Sequence, residues 1–349
     1  MTATAPKLEP YLERLFENRA KGRFTHDFSH GYFHGYLFAG PEGTGKKRLV
    51  KHAAKTLFCE GDKNRPCGLC LSCKSLESGN HPDLIYAEPD KKTSLSVEYV
   101  REHIVKAAGI KPYRSDAKVF IIDKADWMTP AAQNALLKTL EEPPDYGVFM
   151  LCAENEKLLL PTVRSRLWTL KILPLPPEEA ALALHNRRPE LSFDQALFYA
   201  HLAGGSPGRA FDLSEPGEEG GISFAFRARE ALLSLLEGIE EKTSGEILIG
   251  AKGLEEFKEN PGLLFDLAGM WYRDLAVRQV LGREGLCLAD MRERVMGVKT
   301  GAKGFEPGKL NYYMNQIEGA RGSIAFNTGF LLTMEVLMLK LGHKMDEMQ

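Results

Sequence analysis

Residues 35–47 read Gly-Tyr-Leu-Phe-Ala-Gly-Pro-Glu-Gly-Thr-Gly-Lys-Lys. Gly35 to Ala39 is a short β-prone run, and from Lys46 the apolar residues Leu49, Val50, Ala53, Ala54 and Leu57 recur at helical spacing. Between them lies a phosphate-binding loop, in which glycines let backbone N–H groups wrap the α and β phosphates and a lysine reaches the β and γ phosphates. Gly40, Gly43, Gly45 and Lys46 follow that pattern. Lys47 departs from it, because such a loop next places a Ser or Thr hydroxyl on Mg²⁺. An ammonium offers no lone pair and repels a divalent cation, so metal-assisted hydrolysis is undermined. Binding of ATP or ADP does not follow from a loop altered in this way.

A second element of such a site is an acidic residue at the end of a neighbouring buried strand. Residues 118–126 read Lys-Val-Phe-Ile-Ile-Asp-Lys-Ala-Asp, and the apolar run suits a strand covered on both faces. Asp123 then stands where a carboxylate holds Mg²⁺ directly or through water. Hydrolysing proteins of this class carry a glutamate at the next position to polarise the attacking water. Lys124 occupies it here, and a lysine charged at neutral pH cannot accept that proton. Two lysines thus replace two groups on one mechanism, and the expectation is catalytic silence.

Cys59, Cys67, Cys70 and Cys73 form a C-x7-C-x2-C-x2-C cluster directly after the first helix. Each C-x2-C step puts two thiolates on one tight turn, and four thiolates complete a closed tetrahedral Zn²⁺ shell with no position left for chemistry. A structural zinc is expected. Disulfides or free thiols are the competing readings, but the chain shows no secretory signal, and Cys152 and Cys287 stand alone. His81 is a further nearby donor, though four thiolates suffice.

The 349 residues, 44% hydrophobic and 26% charged, allow two or three domains. A net charge of -2 argues against attachment to nucleic acid through overall charge. The most apolar stretch, Ile324 to Leu341, carries Asn327, Glu335 and Lys340, which suits a buried helix better than a bilayer span. A cytoplasmic location is expected. Strands are expected near 35–39, 83–87, 118–123, 147–152 and 167–171, alternating with helices, which implies an α/β fold with a parallel sheet. After Pro174, Pro176 and Pro177 the pattern turns helical, over 178–185, 193–202, a helix carrying Arg209, 262–281 and 309–341, with a Pro/Gly-containing linker near 213–222.

Residues 129–144, Thr-Pro-Ala-Ala-Gln-Asn-Ala-Leu-Leu-Lys-Thr-Leu-Glu-Glu-Pro-Pro, read physically as a helix capped by Thr129, opened by Pro130 and ended by Pro143. The phrase from Asn134 to Pro144 strongly resembles the corresponding helix of bacterial clamp-loader AAA+ subunits of DNA polymerase III. With the loop, the cysteine quartet, Ser165-Arg166 and the helical tail, the resemblance spans nearly the whole chain. The gamma and tau members are similar in the cysteines but carry Thr and Asp-Glu where Lys47 and Asp123-Lys124 stand here. The delta type is less similar, lacking a zinc module of this kind.

The resemblance implies a nucleotide-binding-type domain over 1–172 with a zinc module at 59–73, a helical lid over 173–213, a linker at 214–222, and a helical collar over 223–349 that holds an oligomer together. It implies gamma/tau and delta subunits as partners, with the sliding clamp and primed DNA reached through the assembly. Ser165-Arg166-Leu167 matches the family's Ser-Arg-Cys motif in its first two residues, and the family's arginine reaches the γ-phosphate of a neighbouring subunit as a finger in trans. The guanidinium, not the thiol, serves that role, so Arg166 is the expected trans-acting residue and Arg164 its decoy. Arg209, after Gly-Ser-Pro-Gly, stands where the family's second sensor arginine touches nucleotide, while Leu151-Cys152-Ala153 offers no Thr or Asn for the first sensor. The implied role is a non-hydrolysing clamp-loader subunit.

Two other classes compete with that role. One is an active ATPase of gamma/tau type. The other is a zinc-ribbon nucleic-acid binder, against which residues 60–74 hold only Lys63, Arg65 and Lys74 as bases and no aromatic for stacking.

Overall fold

The computed structural model describes residues 33–61, 65–89, 94–217, 221–298, 307–326 and 328–342. Lys63 and Asn64 of the cysteine segment, residues 218–220 of the expected linker, and Asn327 lie outside the described residues. The chain divides into two compact units, Met1–Leu175 and Pro176–Gln349.

In the first unit, β1 (Gly35–Ala39), β2 (Leu84–Ala87), β3 (Lys118–Ile122), β4 (Gly147–Ala153) and β5 (Trp168–Lys171) form one sheet in the order β2-β3-β4-β1-β5, all pairs parallel. These strands match the sequence expectation to within a residue at each end. Their carboxyl ends line one edge, where open parallel sheets of this kind take their ligands.

Helix α1 (Lys46–Phe58) lays Leu49, Val50, Ala53, Ala54 and Phe58 on one face of the sheet, against Tyr36, Phe38, Val119, Ile121, Val148 and Met150. Helix α2 (Leu71–Glu77) follows the cysteine segment. Helix α3 (Pro130–Glu141) covers the opposite face with Leu136 and Leu140, over Leu37, Phe120, Phe149 and Leu151. Thr129 caps α3 by accepting the Ala132 N–H at 3.2 Å, as the sequence predicts. Burial on both faces explains why β1, β3 and β4 read as continuous apolar runs.

Glycines stand at both ends of β1 where neighbours come close, Gly35 at its start and Gly40 where the loop leaves it. A Cβ on Gly40 would lie 2.1 Å from the Ile172 carbonyl oxygen, and one on Gly35 would lie 2.7 Å from Leu167 Cδ2. At Gly40 the obstacle is backbone, so only glycine permits the approach, whereas at Gly35 it is the end of a leucine side chain that can shift.

The second unit is helical throughout its described residues. It contains α4 (Pro177–Arg187), α5 (Phe193–Leu202), α6 (Pro207–Leu213), α7 (Phe224–Leu236), α8 (Ser244–Gly253), α9 (Pro261–Leu281), α10 (Pro307–Ala325) and α11 (Phe330–Gly342). Helix α9 is buried on most of its circumference, through Leu264, Phe265, Leu267, Trp271, Tyr272 and Leu275 among others. Arg229 of α7 is 1% exposed, lies between the rings of Phe198 and Phe226, and bonds Asp290 at 2.8 Å.

The helical run expected over 309–341 is divided. The Phe326 and Thr328 N–H groups turn back to Ser323 O, and Gly329, a weak helix former, precedes α11. On α11 the buried face is Thr333, Met334, Leu337, Met338 and Leu341, while Val336 is exposed. No helix among the described residues is long and apolar enough to cross a membrane.

Candidate functional site

The loop between β1 and α1 turns through Gly43 and Gly45, at φ 74° and 90°, a conformation that favours glycine. Lys46 is 9% exposed and folds its ammonium onto the loop's own carbonyls, 2.6 Å from Gly40 O and 2.7 Å from Pro41 O. Burial lowers its pKa, opposed by the nearby Cys152, Glu154, Asp123 and Asp126.

Lys47 points across the carboxyl ends of β2 and β3. Its Nζ lies 2.6 Å from Asp123 Oδ2, just past β3, and 3.2 Å from Glu88 Oε2, just past β2. Burial alone would lower the Lys47 pKa, but the hydrogen bond and charge of Asp123, joined by Tyr86 and Glu88, outweigh it and hold the ammonium above its ordinary value. A fixed positive charge therefore sits against the carboxylate that a divalent cation would need.

Lys124 adopts φ 47°, the single left-handed non-glycine among the described residues. Its ammonium lies 4.7 Å from the Trp127 ring centroid and 3.9 Å from Glu42 Oε1. In place of a carboxylate to polarise water, this position carries a cation stacked on an indole. Cys152 on β4 is 1% exposed, and burial pushes its thiol up to about 12, so it stays neutral. Asp126, which sequence reasoning left without a role, accepts the Glu154 and Asn155 N–H groups at 3.0 and 2.9 Å and ties the end of β4 to the turn after β3.

The Sγ atoms of Cys59, Cys67, Cys70 and Cys73 all lie within 4.8 Å of one another. All four cysteines are free. Four backbone N–H groups point at sulfur: Gly61 and Cys67 at Cys59, Cys70 at Cys67, and Cys73 at Cys70, over 3.2–3.4 Å. Such donors stabilise thiolates, and the Cys70 N–H leads the effects that bring the Cys67 pKa down to about 6. Burial raises that of Cys73. A tetrahedral shell with Zn–S bonds of about 2.3 Å closes onto this donor set by small movements of the turns, so the four residues fit a zinc ion. His81 is elsewhere engaged: its ring stacks on Phe58 at 4.0 Å and its Nδ1 accepts the Asp83 N–H.

The segment is tied to the sheet domain by Glu60, which takes Ser72 Oγ at 2.7 Å and the Arg114 guanidinium at 2.9 and 3.1 Å. Asp83, 1% exposed, accepts three consecutive N–H groups, from Tyr113, Arg114 and Ser115, and so fixes the loop that carries Arg114.

Arg166 follows the short helix Pro161–Arg164. Between buried Val163 and Leu167, Ser165 is exposed and Arg164 and Arg166 are half-buried. Arg166 Nη1 donates to Thr162 O at 2.7 Å and Ser165 Oγ at 3.3 Å, and its Nη2 lies 2.5 Å from Glu141 Oε1, at the end of α3. Arg164 differs, its Nε being buried with no partner among the described residues. Arg209 lies in the second unit and faces Asp266 of α9 at 3.4 Å, a carboxylate it shares with Arg321 at 2.8 Å.

The sequence-derived set thus falls into three groups in the first unit, the loop with Asp123, the cysteine quartet and Arg166, with Arg209 separate in the second. Glu88 and Glu141 escaped the sequence reading. The signal for Glu88 was present, since it directly follows a strand whose carboxyl end meets the loop edge. Nothing in the sequence pattern links Glu141 to Arg166.

A family model described as DNA polymerase III, delta subunit, matches residues 17–176. A DNA polymerase III subunit delta' of Pseudomonas aeruginosa is 33% identical over 279 residues, covering 76% of this chain and 79% of the relative. That of Bacillus subtilis is 32% identical over 266 residues, covering 74% and 76%. A DNA polymerase III subunit gamma/tau of Mycobacterium tuberculosis is 35% identical over 176 residues, covering 49% of this chain and 30% of the relative.

Proposed function

The chain belongs to the DNA polymerase III subunit delta' family, and on that premise we propose that it is a clamp-loader subunit that hydrolyses no nucleotide itself and lends Arg166 to the ATP site of a neighbouring subunit. The observation that carries the first half is the Lys47 ammonium at 2.6 Å from Asp123. It supplies a fixed positive charge where catalysis needs an exchangeable metal, and Lys124 supplies another where catalysis needs a base. Both defects lie on one mechanism, so repair of either alone leaves the site silent.

The second half is supported by Arg166 standing on the Ser-Arg motif with its side chain 32% exposed, within reach of solvent. A planar guanidinium offers two donors to a phosphoryl group whose charge grows in the transition state. In this reading the partners are gamma/tau and delta subunits, the assembly places the sliding clamp on primed DNA, and residues 173–213 and 223–349 act as lid and collar. Arg209 then serves the helical unit through Asp266 and not as a nucleotide sensor. The cysteine quartet holds one structural Zn²⁺, which supplies rigidity to a segment with few apolar residues of its own.

The test is phosphate release by the isolated chain beside a Lys46→Ala control. Equal, background-level rates are expected. ATP turnover by the unaltered chain that Lys46→Ala abolishes would instead establish an active ATPase.

A further inference from the structure

The guanidinium of Arg166 is occupied on both of its terminal nitrogens. Nη1 is spent on Thr162 O and Ser165 Oγ, and Nη2 on Glu141 Oε1. Three of its five N–H donors are thus engaged, leaving Nε–H and one on Nη2, and a phosphoryl group arriving there meets the Glu141 carboxylate as a competing anion on Nη2. The backbone carbonyl of Thr162 and the Ser165 hydroxyl are neutral, whereas Glu141 carries a full negative charge, and it is the partner a phosphate most directly replaces.

Glu141 is also oddly placed for a purely helical role. It is the last residue of α3, followed by Glu142 and Pro143, at the end of a helix where the macrodipole disfavours negative charge. The Arg166 guanidinium relieves that charge. The two segments are held in register by packing: Leu140, next to Glu141, is 1% exposed, Leu167, next to Arg166, is 7% exposed, and both belong to one core. The Glu141 carboxylate therefore meets Arg166 from a fixed base and not by the chance encounter of two free surface chains.

Resting on the proposed trans role of Arg166, we infer that Glu141 is a positioning residue that parks the guanidinium on its own subunit until a neighbour's nucleotide phosphate takes the carboxylate's place. The parked and engaged states then compete, and the apparent affinity of the neighbouring site for ATP is reduced by the fraction of time Arg166 is parked. An exposed ion pair of this kind accounts for a factor of up to about five.

The test uses the full assembly of this chain with its gamma/tau and delta subunits, titrated with ATP. With Glu141→Gln, the ATP concentration giving half the maximal rate should fall about two- to fivefold, with the maximal rate unchanged. Glu141→Asp, one methylene shorter, should fall between Gln and the unaltered chain. The double variant Glu141→Gln with Arg166→Ala should match Arg166→Ala alone. If Arg166→Ala slows turnover but Glu141→Gln leaves half-saturation unchanged or raises it, the parking role is overturned while the finger reading stands. If Arg166→Ala has no effect on turnover, both are overturned. A lowered maximal rate with Glu141→Gln would make Glu141 a support for the engaged state and contradict its release.

Discussion

The Lys47 ammonium lies 2.6 Å from Asp123 Oδ2, so the carboxylate at the carboxyl end of β3 already has its cation, and that cation is covalently part of the loop. A Mg²⁺ ion entering the site would have to displace a tethered charge whose pKa the pairing with Asp123 holds above its ordinary value. On the proposed reading, the loop is expected to lack the metal chemistry of its class.

Replacing Lys47 by threonine restores a metal ligand but leaves Lys124 where a base is required. The isolated Lys47→Thr chain is therefore expected to release phosphate no faster than Lys46→Ala. Hydrolysis switched on by that single change would show that Lys124 is no obstacle.

One tightly bound Zn²⁺ per chain is expected in protein purified without added metal, measured by elemental analysis. Cys70→Ser and Cys73→Ser should each lower that ratio, and a chelator should loosen the segment around 59–73 before the sheet. Protein carrying no zinc, or both variants retaining a full complement, would refute the ligand set.

Asp83 provides a pH-dependent anchor. Burial raises its pKa, but the N–H groups of Tyr113, Ser115 and Arg114 outweigh that effect and hold it below its ordinary value of 3.8. A carboxyl whose folded pKa is depressed contributes stability that is present above the unfolded pKa and is lost as pH falls through the folded one. Asp83→Asn should cost about 1–3 kcal/mol near neutral pH, with the gap to the unaltered chain narrowing below about pH 3.8. Chemical denaturation of both proteins from pH 7 to pH 3 measures it. A gap that does not change with pH would assign the loss to packing and not to the charged hydrogen bonds.

The sheet was legible because each of its strands is a short apolar run bounded by turn residues, and the α3 helix because Thr129 and Pro143 mark its ends. The cysteine cluster was legible from spacing alone. The fates of Lys47 and Lys124 were not. That Lys47 reaches Asp123 and Glu88 depends on β2 and β3 being neighbours in the sheet, a pairing no local pattern encodes. Lys124 settles on Trp127 through a left-handed turn that a lysine does not advertise. The break between α10 and α11 was hidden by apolar residues that continue at helical spacing on both sides of Phe326 and Thr328. Glu141 reads as part of a helix end, and its contact with Arg166 appears only once α3 and the 161–167 segment share a core.

Arg166 is expected to act on a neighbour's nucleotide. The direct measurement is single-turnover ATP hydrolysis by assemblies carrying unaltered chain, Arg166→Ala, Arg166→Lys or Arg164→Ala, at matched assembly, saturating ATP and primed DNA. Arg166→Ala should leave assembly and zinc content intact and slow hydrolysis at the adjacent site by on the order of 10³, with total turnover falling by that site's share. Arg166→Lys should rescue poorly because an ammonium lacks the planar pair of donors. An Arg166→Ala assembly hydrolysing at the unaltered rate would rule out a trans-acting role for Arg166, and a larger defect from Arg164→Ala would transfer that role to Arg164.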